Sequence, residues 1–245
     1  PENSSYADVL PSFEKIYKEY ADVNYWLTYF SESIWPIEIV QYSRSFTPLS
    51  RLNKGSDEEK VKKQIEKARK AAAKHFKDYF KPIDKEITAQ MLKSFYENVD
   101  KEKHPDVLKD IAKQFDGDFE AYADFLFEGS FMVSEKRVNE YLDKFKAKRA
   151  EKILSDPAYE LMEGFINYYR NEYMAKANSI QNQINGLMRK YMAGLMEMQE
   201  DKLFYPDANA TMRLTYGNVK GYHPKDAVKY DFQTTLEGIM EKDNP

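Results

Sequence analysis

From Ala158 to about Glu200 an apolar residue returns at every third or fourth position: Leu161, Phe165, Tyr169, Tyr173, Ala177, Ile180, Ile184, Leu187, Tyr191, Leu195 and Met198. That spacing lays one stripe along a single face of an α-helix. At ~1.5 Å per residue the helix would run roughly 60 Å, further than a compact domain usually requires. Other helices must therefore cover the stripe. Asp156-Pro157 supplies a capping side chain followed by proline at the first helical position. Gly164, Gly186 and Gly194 interrupt the run. Each costs about 1 kcal/mol relative to alanine; the expected reason is close packing against a neighbour, with a bend as the alternative.

The preceding sequence is also helical in pattern. Val9, Phe13, Ile16, Tyr17 and Tyr20 open a helix that continues through Asn24-Tyr25-Trp26 toward Phe46 and breaks at Pro36. Ser56 and Glu59 form a capping box for a second helix, striped by Val61, Ile65, Ala68, Ala72, Phe76 and Tyr79 and ended by Pro82. Residues 85–99 read as a third. His104-Pro105 opens a fourth, Asp116-Gly117 is a turn, and residues 119–127 form a short fifth. Ser134 would cap a sixth that runs to Leu154. No internal repeat organises these segments.

The pattern changes near Tyr205. Met212, Leu214 and Tyr216 alternate with Arg213 and Thr215, and Gly217-Asn218 follows as a two-residue turn, so residues 212–220 read as a hairpin. A second alternating run contains Val228, Tyr230 and Phe232. The expected fold is mainly α: an antiparallel helical domain with long helices over residues 1–204, then a short β segment over 205–245. Such a segment is marginal alone, so it either docks on the helices or begins a larger β-domain.

Composition narrows the function classes. Net charge is −4, which makes no global case for nucleic acid. There is no cysteine, hence no disulfide, thiolate nucleophile or thiolate metal site. No apolar run approaches the ~20 residues that span a bilayer. The start, Pro-Glu-Asn-Ser-Ser, reads as that of a piece cut from a longer protein. Nineteen tyrosines and fifteen phenylalanines point to wet helix interfaces or a groove.

No catalytic apparatus is legible. His75, His104 and His223 are far apart, and none has metal-ligand spacing; His104 suits a cap. No phosphate loop, nucleotide fingerprint, nucleophile elbow or triad context occurs. No cofactor is expected. Residues 60–81 carry nine Lys or Arg against two acids, a solvated helix face or a site for an anionic partner such as phosphate or a membrane surface. Asn171, Asn178, Asn182, Asn185 and Arg189 share one helix surface and could bond peptide backbone, helix neighbours or solvent.

The end block carries more. Residues 205–222 (YPDANATMRLTYGNVKGY), with Pro224-Lys-Asp-Ala and Thr234-Thr-Leu-Glu-Gly-Ile, closely resemble a block of the bacterial dipeptidyl peptidases of the seven and eleven type. Arg189-Lys-Tyr-Met-Ala-Gly-Leu-Met-Glu-Met and Asp156-Pro157 are similar to the same family, and residues 20–26 are a further local match. These are serine exopeptidases with a chymotrypsin-like double β-barrel and a large helical insertion. The resemblance implies that residues 1–204 are the helical cap and residues 205–245 the opening strands of the second barrel. The Ser/His/Asp triad would lie outside this chain, leaving it inactive alone.

It further implies peptide substrates with a free N-terminus, the remaining barrel domains as partners, scope for a homodimer, and a periplasmic or secreted location. In the family an Asn of the helical domain helps hold the substrate amine, and the context Tyr20-Ala-Asp-Val-Asn24-Tyr-Trp26 puts Asn24 at that position. Thr28 stands where many relatives carry another Asn. The competing expectation is a non-catalytic helical module that binds peptide or protein. P1 specificity is not encoded in these residues.

Overall fold

A computed structural model describes residues 5–53, 55–205, 210 and 212–243. They divide into two units, residues 1–198 and 199–245. The first is helical. Helix α1 (Val9–Tyr29) continues into a π-turn, Phe30–Ile34, and stops before Pro36 as expected. Short helices α2 (Glu38–Ser43) and α3 (Thr47–Ser50) follow, joined by a 3₁₀ turn at Arg44–Phe46. Then come α4 (Glu58–His75), α5 (Lys81–Asn98), α6 (Asp106–Gln114) and α7 (Phe119–Gly129). After these lie α8 (Glu135–Asp143), α9 (Glu151–Leu154) and α10 (Pro157–Tyr168). Another π-turn, Tyr169–Tyr173, joins α10 to α11 (Met174–Met198). The long amphipathic run is thus one helical element, with a widened turn inside it. No helix among the described residues is long and apolar enough to cross a membrane.

Several boundaries move by a turn for identifiable reasons. The cap of α4 is Asp57, whose carboxylate accepts from Lys60 N at 3.0 Å; Ser56 Oγ instead accepts from Asn53 N. Pro82 does not end α4, which stops at His75; it sits in the first turn of α5, where its missing N–H has no bond to lose. The helix expected from Ser134 to Leu154 splits at Asp143, and a 3₁₀ turn at Ala147–Arg149 separates α8 from α9. The Asp116-Gly117 turn is present, with φ of 51° and 76°.

Two buried aspartates tie helix ends together. Asp156 accepts from Ala158 N, Ser130 Oγ and Phe131 N, so it caps α10 and pins the end of α7. Asp84 accepts from Glu38 N and Ile39 N, satisfying free donors at the start of α2 from a different helix, and also from Tyr79 Oη. Burial pushes both carboxyls above the usual range, Asp84 to about 6, against the downward pull of these bonds. The core they frame is aromatic. Trp26 is fully buried, stacked on Tyr173 at 4.1 Å, and its Nε1 donates to Lys103 O.

The second unit corrects the hairpin reading. Residues 212–220 form no ladder and are exposed. The strands are β1 (Tyr222–Lys225) and β2 (Val228–Tyr230), antiparallel, with Tyr222 opposite Tyr230 and Lys225 opposite Val228. Asp226-Ala227 makes the turn, Ala227 having φ 58°. Alternation alone did not choose the strand, because a ladder also needs a partner within reach. A Cβ on Gly221 would lie 2.5 Å from Tyr230 O, so glycine there permits the close approach that Tyr222 continues. A short helix, α12 (Leu236–Met240), follows.

Candidate functional site

The two π-turns face each other through their rings. Phe30 stacks on Tyr169 at 5.5 Å, and Trp26 bridges Phe30 at 5.3 Å and Tyr173. A π-turn inserts one residue and rotates the following helix, and such turns recur at functional sites. Here they open a cleft of about 570 Å³ beside α1. Its apolar walls include Leu27, Phe30, Trp35, Ile166, Tyr169 and Met174; its polar lining is Asn24, Thr28, Ser31, Arg44 and Arg170. A mostly apolar concavity with a few converging polar groups is the usual form of a ligand site.

Asn24, Thr28 and Ser31 lie at four- and three-residue spacing, and α1 with the π-turn that continues it places all three in the lining of the cleft. Ser31 Oγ donates to Thr28 O at 3.2 Å. The half-buried Asn24 amide has no hydrogen-bond partner among the described residues, leaving two donors and an acceptor for a ligand. Arg44 is held with its Cζ 5.1 Å from the Trp35 ring centroid, a cation–π contact that fixes the head at the cleft edge.

The other residues singled out in the sequence lie elsewhere. Asn178, Asn182, Asn185 and Arg189 are exposed on α11, Asn185 accepting from Gln181 Nε2, and Asn171 is exposed in the π-turn; none lines the cleft. On the basic helix, Arg69 pairs with Asp143 and Asn139, while Lys60, Lys63, Lys67, Lys70 and Lys74 are exposed. His104 is buried and its Nε2–H donates to Val99 O, so it closes the end of α5 rather than opening α6. His75 stacks on Tyr42 at 4.1 Å, and burial lowers its pKa to about 4. His223 lies in β1 and is exposed. Among the described residues no group of three or more His, Asp or Glu side chains is placed to hold a metal.

Of the residues that line the cleft, the sequence singles out Asn24 as a candidate but not Trp35, Arg44, Tyr169, Arg170 or Met174. Tyr169 belongs to the regular apolar stripe; it opens the second π-turn and lines the cleft with its ring stacked on Phe30. The dense aromatic and polar mixture in residues 165–174 was the available signal.

Comparison with known proteins agrees with this architecture. A family model described as Peptidase S46 matches residues 1–245. The chain is similar to dipeptidyl-peptidase 7 of Porphyromonas gingivalis, 34% identical over 98% of this chain and 33% of that protein. It is also similar to the Asp/Glu-specific dipeptidyl-peptidase of the same organism, 36% identical over 84% of this chain and 29% of that protein. In fold it resembles the crystal structure of Porphyromonas endodontalis DPP11 in complex with the dipeptide Arg-Glu, with a TM-score of 0.74 at 24% identity over 99% of this chain and 34% of that one. The chain thus spans about a third of the length of the relatives it matches.

Proposed function

This chain belongs to the peptidase S46 family, and on that premise we propose that it is the substrate-gating helical cap of a serine-type dipeptidyl peptidase that releases dipeptides from peptide N-termini in the bacterial periplasm or outside the cell. In this reading the cleft receives the amino-terminal end of the substrate, and Asn24 binds its ammonium group. The carrying observation is the Asn24 amide, open in the wall of a cleft and without a partner among the described residues. Its Oδ1 can accept from the ammonium while its Nδ2 donates to a peptide carbonyl. Apolar walls strengthen both bonds by excluding water. A closed end that holds the amine leaves a fixed length of peptide to reach the scissile bond, which is how an exopeptidase counts residues.

Asn24→Ala in the full-length protein tests the assignment. A hydrogen bond to a charged group contributes about 1.5–3 kcal/mol, so kcat/KM for dipeptide release should fall about ten- to a hundredfold. N-acetylated peptides should be poor substrates for the parent and insensitive to the substitution. A change below about twofold, ~0.4 kcal/mol, rejects a substantial role in amine binding.

A further inference from the structure

Helix α4 carries seven Lys or Arg against three Glu, in a chain whose net charge is −4. Its basic residues are sorted by face. Lys60, Lys63, Lys67, Lys70 and Lys74 recur at three and four residues, which on an α-helix places them within an arc of about 80° and along ~21 Å of its length. All five are exposed. Nearly opposite them, Ala68 and Ala72 are buried and Val61 and Ile65 pack against the core, so the helix is seated with the lysine row turned outward. Helices α2, α3 and α8 hold that seat. The single arginine, Arg69, points off the row, to Asp143 and Asn139 of α8.

The row also lacks partners. Lys18, Lys85, Lys109, Lys176 and Lys190 each pair with a carboxylate. No lysine of α4 does so among the described residues, although Glu59 and Glu66 stand four residues before Lys63 and Lys70, at a spacing that permits pairing. The outward face thus presents a line of positive charge that a negative surface complements.

The chemistry of the row narrows what that surface is. Lysine is a compact, hydrated point charge, whereas the arginine fork suits nucleic-acid recognition. The helix has no Phe, Tyr or Trp on which a base could stack. Seated along its length against other helices, it does not project as an element that enters a DNA groove. No large apolar side chain interrupts the row to anchor a protein interface or to insert among acyl chains. Contact at the level of headgroup phosphates, spread over several charges, fits all of these features.

We propose that the lysine row of α4 docks this protein electrostatically on an anionic lipid surface, with phosphate headgroups as the ligand. None of these lysines lines the cleft, so the docking surface is independent of how Asn24 is read.

The test is sedimentation of the full-length protein with vesicles of phosphatidylcholine, alone or with about one-third phosphatidylglycerol. The parent should bind the anionic vesicles, ignore the neutral ones, and be released as salt rises from about 0.05 to about 0.5 M. Each lysine near an anionic leaflet is worth about fivefold in partitioning, so Lys63→Gln, Lys67→Gln, Lys70→Gln and Lys74→Gln together should weaken binding about a hundredfold or more. The same four positions changed to Arg should retain it. As a control of equal charge change, Lys93→Gln, Lys109→Gln, Lys113→Gln and Lys176→Gln together should leave binding within about fivefold. Dipeptide release from a soluble peptide should be unchanged in all three variants.

Failure of the parent to prefer anionic over neutral vesicles would overturn the proposal. So would equal losses in the row and control variants, since net charge rather than the row would then govern binding. Loss of binding in the Arg variant, or tighter binding to duplex DNA or polyglutamate than to the vesicles, would overturn it too. Inorganic phosphate should displace the protein no better than chloride at equal ionic strength, and stronger competition would mean a discrete phosphate pocket in place of a docking surface.

Discussion

Helices α10 and α11 carry one apolar stripe, yet they occupy different environments. In the twelve residues of α10, Ala158, Tyr159, Leu161, Met162 and Phe165 are all buried, with α2, α6, α7 and α9 packed around them. In the twenty-five residues of α11 only Ile180 and Ile184 are buried, along a single seam with α1. Met188, Met192, Met196 and Met198 are exposed by 37–70%. The same periodicity thus marks the centre of a core in one half and one wall of a two-helix arm in the other. Stability should concentrate at α10, and the cleft sits where the two regimes meet.

The largest test of that difference removes a ring from the packed half. Phe165 is fully buried, in edge contact with Phe95 at 5.3 Å. Phe165→Ala should destabilise the chain by about 3–5 kcal/mol in denaturant unfolding. Ile184→Ala, on the arm, should fall at the low end of the ~2–5 kcal/mol range for such truncations because its seam is partly open. Equal losses would mean that the arm is as tightly packed as the base.

A second test uses pH, because the packed part of the molecule holds titratable groups away from water. His75 has a folded pKa of about 4, below the usual value of 6.5, because burial disfavours its charge. The unfolded state therefore binds more protons between pH 4 and 6.5, and this contribution to stability is lost as pH falls through that window. Asp84, raised to about 6 by burial, acts with the opposite sign: its neutral form is favoured by folding, so its contribution declines as pH rises between 3.8 and 6. His75→Phe should isolate the aspartate. The stability difference between parent and variant should grow by about 2–3 kcal/mol from pH 4 to 6.5. A constant difference would place His75 in contact with water.

The smallest effects come from two glycines on the long element. A Cβ on Gly164 would fall 2.5 Å from Val107 Cγ1 and 2.6 Å from Val107 Cβ, so α6 and α10 approach through it. Gly164→Ala should cost about 1–3 kcal/mol through forced separation. At Gly186 a Cβ meets nothing within 4 Å, and Gly186→Ala should stabilise the arm by about 0.5–1 kcal/mol. Matching signs in thermal unfolding would contradict the contrast between base and arm. The expectation of close packing thus describes Gly164, and Gly194, where a Cβ would lie 3.1 Å from Tyr6 Cγ, but not Gly186.

Much of the helical layout was legible because it depends on local rules. The 3–4 spacing of Leu161 to Met198, the Asp156-Pro157 start and the Asp116-Gly117 turn act within a few residues of themselves. Boundaries failed where two local signals competed, as with Ser56 and Asp57, or where proline could end one helix or begin the next. The hairpin was misplaced because strand identity depends on a partner strand, and Met212–Tyr216 finds none among the described residues. Asn24 is a candidate only through a family resemblance, and nothing in its own spacing sets it apart from Asn178 or Asn182.

Sequence by itself determined that the chain is helical, that its longest element is amphipathic, and that it ends in a β segment of a known family, because periodicity, caps and ungapped motifs are local properties. Only the tertiary structure decided which polar residues share a cleft. Asn24 of α1, Arg44 of the 3₁₀ turn and Arg170 of the second π-turn line one cleft only after those separate elements have packed. The two π-turns meet through Phe30 and Tyr169, ring residues more than a hundred positions apart, and a contact over that separation is not written in the local pattern of either turn.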